Sequence, residues 1–265
     1  MTNLKEITLE VCKIARQAGE YQKKERLDFS FDSVEQKNSH DYVSYVDKSS
    51  EKLIVAALKD LVPEAGFVTE EETVTYNDEE YCWVIDPLDG TTNYIHDNAP
   101  YCVSIALRRR DEVMIGVVYE VCRDECFYAW KEGGAYLDGK PISVAKTNQI
   151  DHAMICIELP YDFNKYSATA LHLISHFYGY AGAIRMNGSA ATALCYVAAG
   201  RFDGWLEMYI GKWDFMAGVL IITEAGGTVT DFHGSAHYLD GNNIVASNGT
   251  IHEELLRAIG EKMPE

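Results

Sequence analysis

Basic residues are scarce in this chain. Lys and Arg total 23 against 41 Asp and Glu, a formal net charge of −18. A surface this acidic repels nucleic-acid backbones, so nucleic acid is not an expected partner. A small phosphate ester is not excluded, because metal cations can neutralise the field inside a site. Long apolar runs are missing as well. No stretch of ~18 apolar residues occurs, so neither a transmembrane helix nor a membrane partner is expected. Residues 1–6 lack the apolar core of a signal peptide, and the expected location is the cytoplasm. No Pro-, Gly- or Ser-rich linker, repeat or low-complexity tract is evident. Metal-spaced cysteines are lacking too. Cys122 and Cys126 lie close together, but no second pair stands near them, which argues against zinc. The seven cysteines are odd in number and mostly flanked by apolar residues. They read as buried thiols in a reducing compartment, not as a disulfide framework.

What is present is an ordinary globular composition, 47% hydrophobic and 24% charged over 265 residues. The pattern predicts one compact unit over 1–265 in two layered halves, 1–146 and 147–265. Leu4, Ile7, Val11, Ile14, Ala15 and Ala18 recur at helical spacing and predict a helix over 3–26. Residues 28–41 are polar and broken, as expected of a mobile loop. A second helix is expected over 47–61, with Asp47 as its N-cap. A buried strand over 81–86 delivers Asp86 at its end. Strands at 101–109, 113–121, 125–131, 134–137 and 141–144 follow with short turns, which implies an antiparallel sheet. The second half alternates strands near 153–157, 202–207, 228–231 and 243–246 with helices near 164–178, 188–200, 214–225 and 250–260.

Three acidic clusters carry the chemistry. Asp86-Pro87-Leu88-Asp89-Gly90-Thr91-Thr92-Asn93 places two carboxylates three residues apart after a buried strand. If both enter one cavity they repel, and a divalent cation between them is favoured. The donors are hard oxygens, so magnesium is the natural ion. Gly90-Thr91-Thr92 offers backbone N–H groups at what could be a helix start, suited to a phosphate; the alternative is an acidic turn capping a helix. Glu70-Glu71-Glu72 reads either as a solvated face or as a further ligand source. Trp213-Asp214-Phe215-Met216-Ala217-Gly218 opens an apolar helix, and Asp214 reads as its N-cap unless it joins the other acids.

Taken together, these segments resemble the inositol monophosphatase family. Residues 86–93 match its Asp-Pro-hydrophobic-Asp-Gly-Thr-Thr-Asn signature, and 213–218 its Trp-Asp-x-x-Ala-Gly signature. Glu70-Glu71 matches the upstream acidic pair, Asp41 to Asp47 an earlier acidic element, and Arg185 to Ala191 the substrate loop. The likeness runs in order over residues 35–250. Thr69 departs from the glycine often found before the acidic pair.

The resemblance implies an α-β-α-β-α layered sandwich, two or three Mg²⁺ ions, lithium sensitivity and a homodimer. It implies metal ligands at Glu70, Asp86, the Leu88 carbonyl, Asp89 and Asp214, and catalytic roles for Glu70, Asp89 and Thr91. Leu88, Asp89, Gly90, Thr91, Gly188, Ser189, Ala190, Glu207 and Asp214 are the implied substrate residues. Roles for Lys37 in holding a further metal and for Arg185 stay open. The implied activity is metal-assisted hydrolysis of myo-inositol 1-phosphate or a similar polyol or sugar phosphate, by water that Thr91 and Glu70 hold. An aspartyl-phosphate route through Asp86 or Asp89 is less favoured, because carboxylates gripping metals are poor nucleophiles. Alternatives are the same chemistry on fructose 1,6-bisphosphate, NADP or adenosine 3′,5′-bisphosphate, and a non-catalytic scaffold that kept the fold.

Overall fold

The computed structural model describes residues 3–38, 41–76, 78–160, 162–240 and 242–260. Helix α1 (Leu4–Arg26) starts at Asn3, whose side chain accepts the Glu6 N–H, and it buries Val11, Ile14, Ala15 and Ala18. The polar stretch expected as a mobile loop over 28–41 is ordered differently. Its described residues hold a 3-10 turn, Phe31–Ser33, then strands β1 (Val34–Asn38) and β2 (Asp41–Ser44), which pair antiparallel. A two-stranded ribbon satisfies its backbone bonds internally and needs no apolar run, so its polar composition hid it. Helix α2 (Tyr45–Leu61) is capped by Ser44, not by Asp47 as expected. Asp47 is the third helical residue, and its carboxylate reaches back to the Ser44 N–H at 2.9 Å. That is a capping box, in which the helix's own acid satisfies the N-cap amide.

Strands β3 (Gly66–Thr69) and β4 (Tyr81–Asp89) run parallel. After the short helix α3 (Thr91–Ile95), β5 (Cys102–Arg109), β6 (Glu112–Glu120), β7 (Glu125–Trp130), β8 (Ala135–Leu137) and β9 (Lys140–Pro141) continue antiparallel. Together they form a seven-stranded sheet in chain order. The rest of the chain runs β10 (Met154–Ile157), α4 (Phe163–Tyr178), β11 (Ala183–Arg185), α5 (Ala190–Ala198), β12 (Gly204–Ile210), α6 (Lys212–Glu224), β13 (Thr228–Thr230), β14 (Asn242–Ser247) and α7 (His252–Gly260). Its strands form a mixed sheet in the order β11-β10-β12-β14-β13.

Helices α1 and α2 cover one face of the large sheet, α5 and α6 lie between the sheets, and α4 and α7 cover the far face of the small sheet. The result is the expected α-β-α-β-α sandwich. Burial on both faces explains why β4 reads as a continuous apolar run. Cys82 and Val84 pack toward α5 and α6, while Trp83 and Ile85 pack toward α1 and α2. Helix α6 is apolar all round for the same reason, with Phe215 to Ile222 buried between the two sheets. It lies close on β6 at Gly116, where an added Cβ would stand 2.5 Å from the Ala217 carbonyl oxygen. Among the described residues, no helix is long and apolar enough to cross a membrane.

Candidate active site

In a regular strand, residues three apart point to opposite faces. Asp86 and Asp89 escape this through a β-bulge. Asp86 pairs with Ser104 and Asp89 with Cys102, so three steps on β4 oppose two on β5. The bulge inverts the alternation: Leu88 joins the α1–α2 core, and Asp89 returns to the side of Asp86. The Leu88 N–H donates to Asp86 Oδ1 at 2.9 Å and holds the turn.

Asp214 meets this pair from α6. It was expected as an N-cap, but Gly211 takes that place. Asp214 sits one turn in and accepts the Gly211 N–H at 2.8 Å. Carboxylate oxygens of Asp86, Asp89 and Asp214 all lie within 4.8 Å of one another. Glu70, at the end of β3, lines the same cleft. Its turn is tied down by Glu51 of α2, which accepts the N–H groups of Glu71 and Thr73 at 2.9 Å each.

Burial raises the Asp86 carboxyl well above the usual range, and the charges of Glu70, Asp89 and Asp214 add to the shift. Asp214 is raised by burial and then by Glu70 and Asp89. Asp89 is also raised by burial, against hydrogen bonds from the Ser189 hydroxyl and the Ala191 and Ala190 amides. These bonds fasten the β4 terminus to the start of α5, with Ala191 N–H at 2.9 Å. The Ser189 hydroxyl is therefore engaged with Asp89 and Thr192.

Converging acids of this kind favour a multivalent cation. The donor set is oxygen from three or four carboxylates and the Leu88 carbonyl, which suits Mg²⁺. The nearby Cys102 thiol is buried and pushed well up, so it stays protonated and offers no soft ligand.

The acids line a cleft of about 350 Å³ together with Leu88, Gly90, Thr91 and Glu207. A second lobe of about 190 Å³ shares Asp89, Gly90, Glu207 and Asp214 and extends to Gly188, Ser189 and Ala190. Every residue expected as ligand, catalyst or substrate contact thus lines one of two adjoining lobes. Gly90 has φ +91°, and an added Cβ would crowd the Pro100 and Gly188 carbonyls. Glu207 is 9% exposed, its Oε2 has no hydrogen-bond partner, and burial with the charges of Glu158, Asp214 and Asp89 raises its carboxyl. Arg185 lines neither lobe and donates to the Ile184 carbonyl. The Lys37 side chain lies outside the described residues.

Of three further contributors, the sequence offered Asp47 only as a helix cap and as the end of the element from Asp41 to Asp47, and it did not mark Glu158 or Tyr209. Asp47 is fully buried, and the Thr91 hydroxyl donates to its Oδ1 at 3.0 Å, or alternatively to the Leu88 carbonyl at 3.0 Å. The cue was the capping-box spacing Ser44-x-x-Asp47, which points the acid inward. Glu158 accepts the Asn187 and Gly188 amides at 2.7 and 3.0 Å and fixes the loop before α5. Tyr209 lines the larger lobe with φ +60°, and no sequence signal marked it.

The chain is a five-layer sandwich whose acid cluster at the end of β4, closed by α6, could hold a metal ion. The chain belongs to the inositol monophosphatase family, whose family model matches residues 3–263. It is 36% identical to Nus factor SuhB of Escherichia coli over 237 residues, 88% of this chain and 89% of that protein. It is 37% identical to an inositol-1-monophosphatase of Mesorhizobium japonicum over 227 residues, 85% of each. The solved structure of inositol monophosphatase from Anabaena superposes with a TM-score of 0.89 at 32% identity, covering 99% of this chain and 98% of that one. The expectation of no nucleic-acid partner rests on charge alone, and relatives called Nus factor lend it no support.

Proposed function

We propose that the protein is a Mg²⁺-dependent phosphomonoesterase that hydrolyses myo-inositol 1-phosphate or a similar polyol phosphate. The observation that carries this is the meeting of Asp86, Asp89 and Asp214 beside the Asp47–Thr91 pair. Glu70, Asp86, the Leu88 carbonyl, Asp89 and Asp214 would hold two or three Mg²⁺ ions. When bound, these ions supply positive charge to the phosphoryl group and lower the proton affinity of water.

The chain's own groups do the rest. Because Thr91 donates its hydroxyl hydrogen to Asp47, its oxygen lone pairs are free to accept a hydrogen bond from a water molecule. That water is aimed by Thr91 and Glu70, and its proton passes toward the Thr91–Asp47 pair. Gly90 and Thr91 N–H groups hold phosphate oxygens. Gly188, Ala190 and the Ser189 backbone form the wall for the alcohol, and Glu207 accepts its hydroxyls through the unpartnered Oε2.

Phosphate release from myo-inositol 1-phosphate tests the proposal, with fructose 1,6-bisphosphate, NADP and adenosine 3′,5′-bisphosphate as rival substrates. EDTA should abolish release, Mg²⁺ restore it and lithium inhibit it. Turnover that persists in EDTA would sink the metal assignment, and no release from any ester would leave a non-catalytic scaffold. The working unit is proposed to be a homodimer of the whole chain, which sedimentation can check.

A further inference from the structure

Helix α1 carries a polar residue in its apolar stripe. Val11, Ala15, Ala18 and Gln22 follow one another at helical spacing, and Gln22 is fully buried. Its Nε2 donates to the Pro87 carbonyl at 2.6 Å and lies 3.3 Å from the Ser50 hydroxyl. Its Oε1 has no hydrogen-bond partner. A buried amide satisfied on one side only is costly, so packing alone favours an apolar side chain at this place.

The amide serves the β4 bulge. Strand β5 pairs with Asp86 and Asp89 but with neither residue between them, and β3 pairs no further along β4 than Ile85. The bulge that brings the two acids together therefore leaves the Pro87 carbonyl without a partner in the ladder, and Gln22 supplies the donor. The Pro87 carbonyl and the Leu88 N–H belong to one planar peptide group. Its N–H donates to Asp86 Oδ1 at 2.9 Å, and its C=O accepts from Gln22. The plane is thus pinned at both ends, and it cannot rotate without breaking one of the two bonds. Beyond the turn, the Tyr94 hydroxyl of α3 donates to the Gln22 backbone carbonyl at 3.1 Å. Gln22 thereby ties both flanks of residues 88–91 to α1.

We propose that Gln22 is a positioning residue for the Mg²⁺ site: through the Pro87–Leu88 peptide it fixes the direction of the Asp86 carboxylate and of the Leu88 carbonyl that follows. It touches neither substrate nor reacting atoms. Groups that orient metal ligands in this way typically govern metal affinity by about 10- to 100-fold. This role rests on the metal-dependent reading above.

The test is calorimetric titration of Mg²⁺ into the substrate-free protein, joined to phosphate release from myo-inositol 1-phosphate across Mg²⁺ concentrations. Gln22→Met keeps the length of the side chain and removes its hydrogen bonds. Its dissociation constant for Mg²⁺ should rise about tenfold. At saturating Mg²⁺, kcat should recover to within about threefold of wild type, with KM for the ester within about twofold. Its thermal midpoint should move little, because loss of the Pro87 bond is offset by removal of the unpartnered Oε1. Val11→Ala is the control. It opens a cavity on the same face of α1, about 16 Å along the helix from Gln22, and should lower the thermal midpoint while leaving Mg²⁺ affinity unchanged. Gln22→Leu serves in place of Gln22→Met should the latter not fold. Unchanged Mg²⁺ affinity in the folded variant, or an equal loss in Val11→Ala, would overturn the proposal and leave the phosphatase reading intact. A wild type that binds no Mg²⁺ would fail the metal reading and the proposal together. Mg²⁺ binding without turnover of any ester would fail the phosphatase reading alone, and the titration would still decide the role of Gln22.

Discussion

Replacing Asp47 by Asn separates its role in the helix cap from its role in the site. Asp47 Oδ2 accepts the Ser44 N–H and hydroxyl at 2.9 and 2.7 Å, and Oδ1 accepts the Thr91 hydroxyl at 3.0 Å. An Asn fits the same space and keeps its carbonyl toward Ser44. Its NH₂ then faces Thr91, which must accept instead of donate. The Thr91 hydrogen still has a partner, the Leu88 carbonyl at 3.0 Å, so no buried polar group is orphaned. Charged acceptors hold hydrogen bonds more strongly than neutral ones, but removing a fully buried carboxylate also removes its desolvation cost. The net stability loss is therefore about 1 kcal/mol or less, a shift of about 2–4 °C for a chain of this size. Activity should respond far more. With one Thr91 lone pair now taken by the Asn amide, its hold on water is weakened, and the route for the proton toward a carboxylate is lost. Loss of general-base action costs about 10²- to 10⁴-fold in kcat, or about 3–5 kcal/mol. Phosphate release and thermal unfolding, measured on Asp47→Asn, Thr91→Ser and Thr91→Val, decide the matter. Thr91→Ser should retain most activity, and Thr91→Val should lose as much as Asp47→Asn. Combining Asp47→Asn with Thr91→Val should cost no more than either alone. A folded Asp47→Asn protein with kcat within about fivefold of wild type would refute the pairing.

Two predictions concern stability. Gly116→Ala puts a Cβ 2.5 Å from the Ala217 carbonyl oxygen, a backbone atom with no rotamer to yield, so α6 must shift from the sheet. The expected loss is about 2 kcal/mol, or about 4–8 °C in thermal unfolding; a shift below about 1 °C would show that the two layers are not closely seated. His252 is buried at the start of α7, its ring nitrogens 2.9 Å from the Ser247 and Thr230 hydroxyls, and burial lowers its pKa below 6.5. The folded state then binds fewer protons than the unfolded state below that pH, so the contribution of His252 is lost as pH falls from about 6.5 through the lowered folded value. His252→Gln should flatten the fall in midpoint between neutral and mildly acid pH, and a pH profile parallel to wild type would contradict the assignment.

The long elements were legible because their periodicities are enforced by burial. The stripe Val11-Ile14-Ala15-Ala18 and the run from Tyr81 to Ile85 could each pack in only one way. Helix starts were less legible. Asp47 and Asp214 both look like caps, yet each lies one turn inside its helix and reaches back to residue 44 or 211. An acid can satisfy the first amide from either place, so composition alone does not separate the two. The pairing of β1 with β2 was hidden because Glu35, Gln36, Lys37 and Asn38 are all polar in the sequence and offer no apolar alternation.

The site itself was legible as a set of residues but not as a geometry, and the two bulges explain the difference. By alternation alone, Asp86 and Asp89 belong on opposite faces of the sheet, and spacing could place them together only if the chain departed from regularity. One extra residue in β4 supplies that departure and turns two unrelated carboxylates into a pair facing Asp214. One extra residue in β12 does the equivalent on the facing sheet: it exposes Tyr209 and resets the phase so that Ile210 is buried just before Gly211 and the Asp214 turn. Each sheet thus contributes to the cleft at the point where its pairing is interrupted. The strand regions before these points answer to packing. The interruptions answer to the cleft, which is why sequence patterning described the first and could only enumerate the residues of the second.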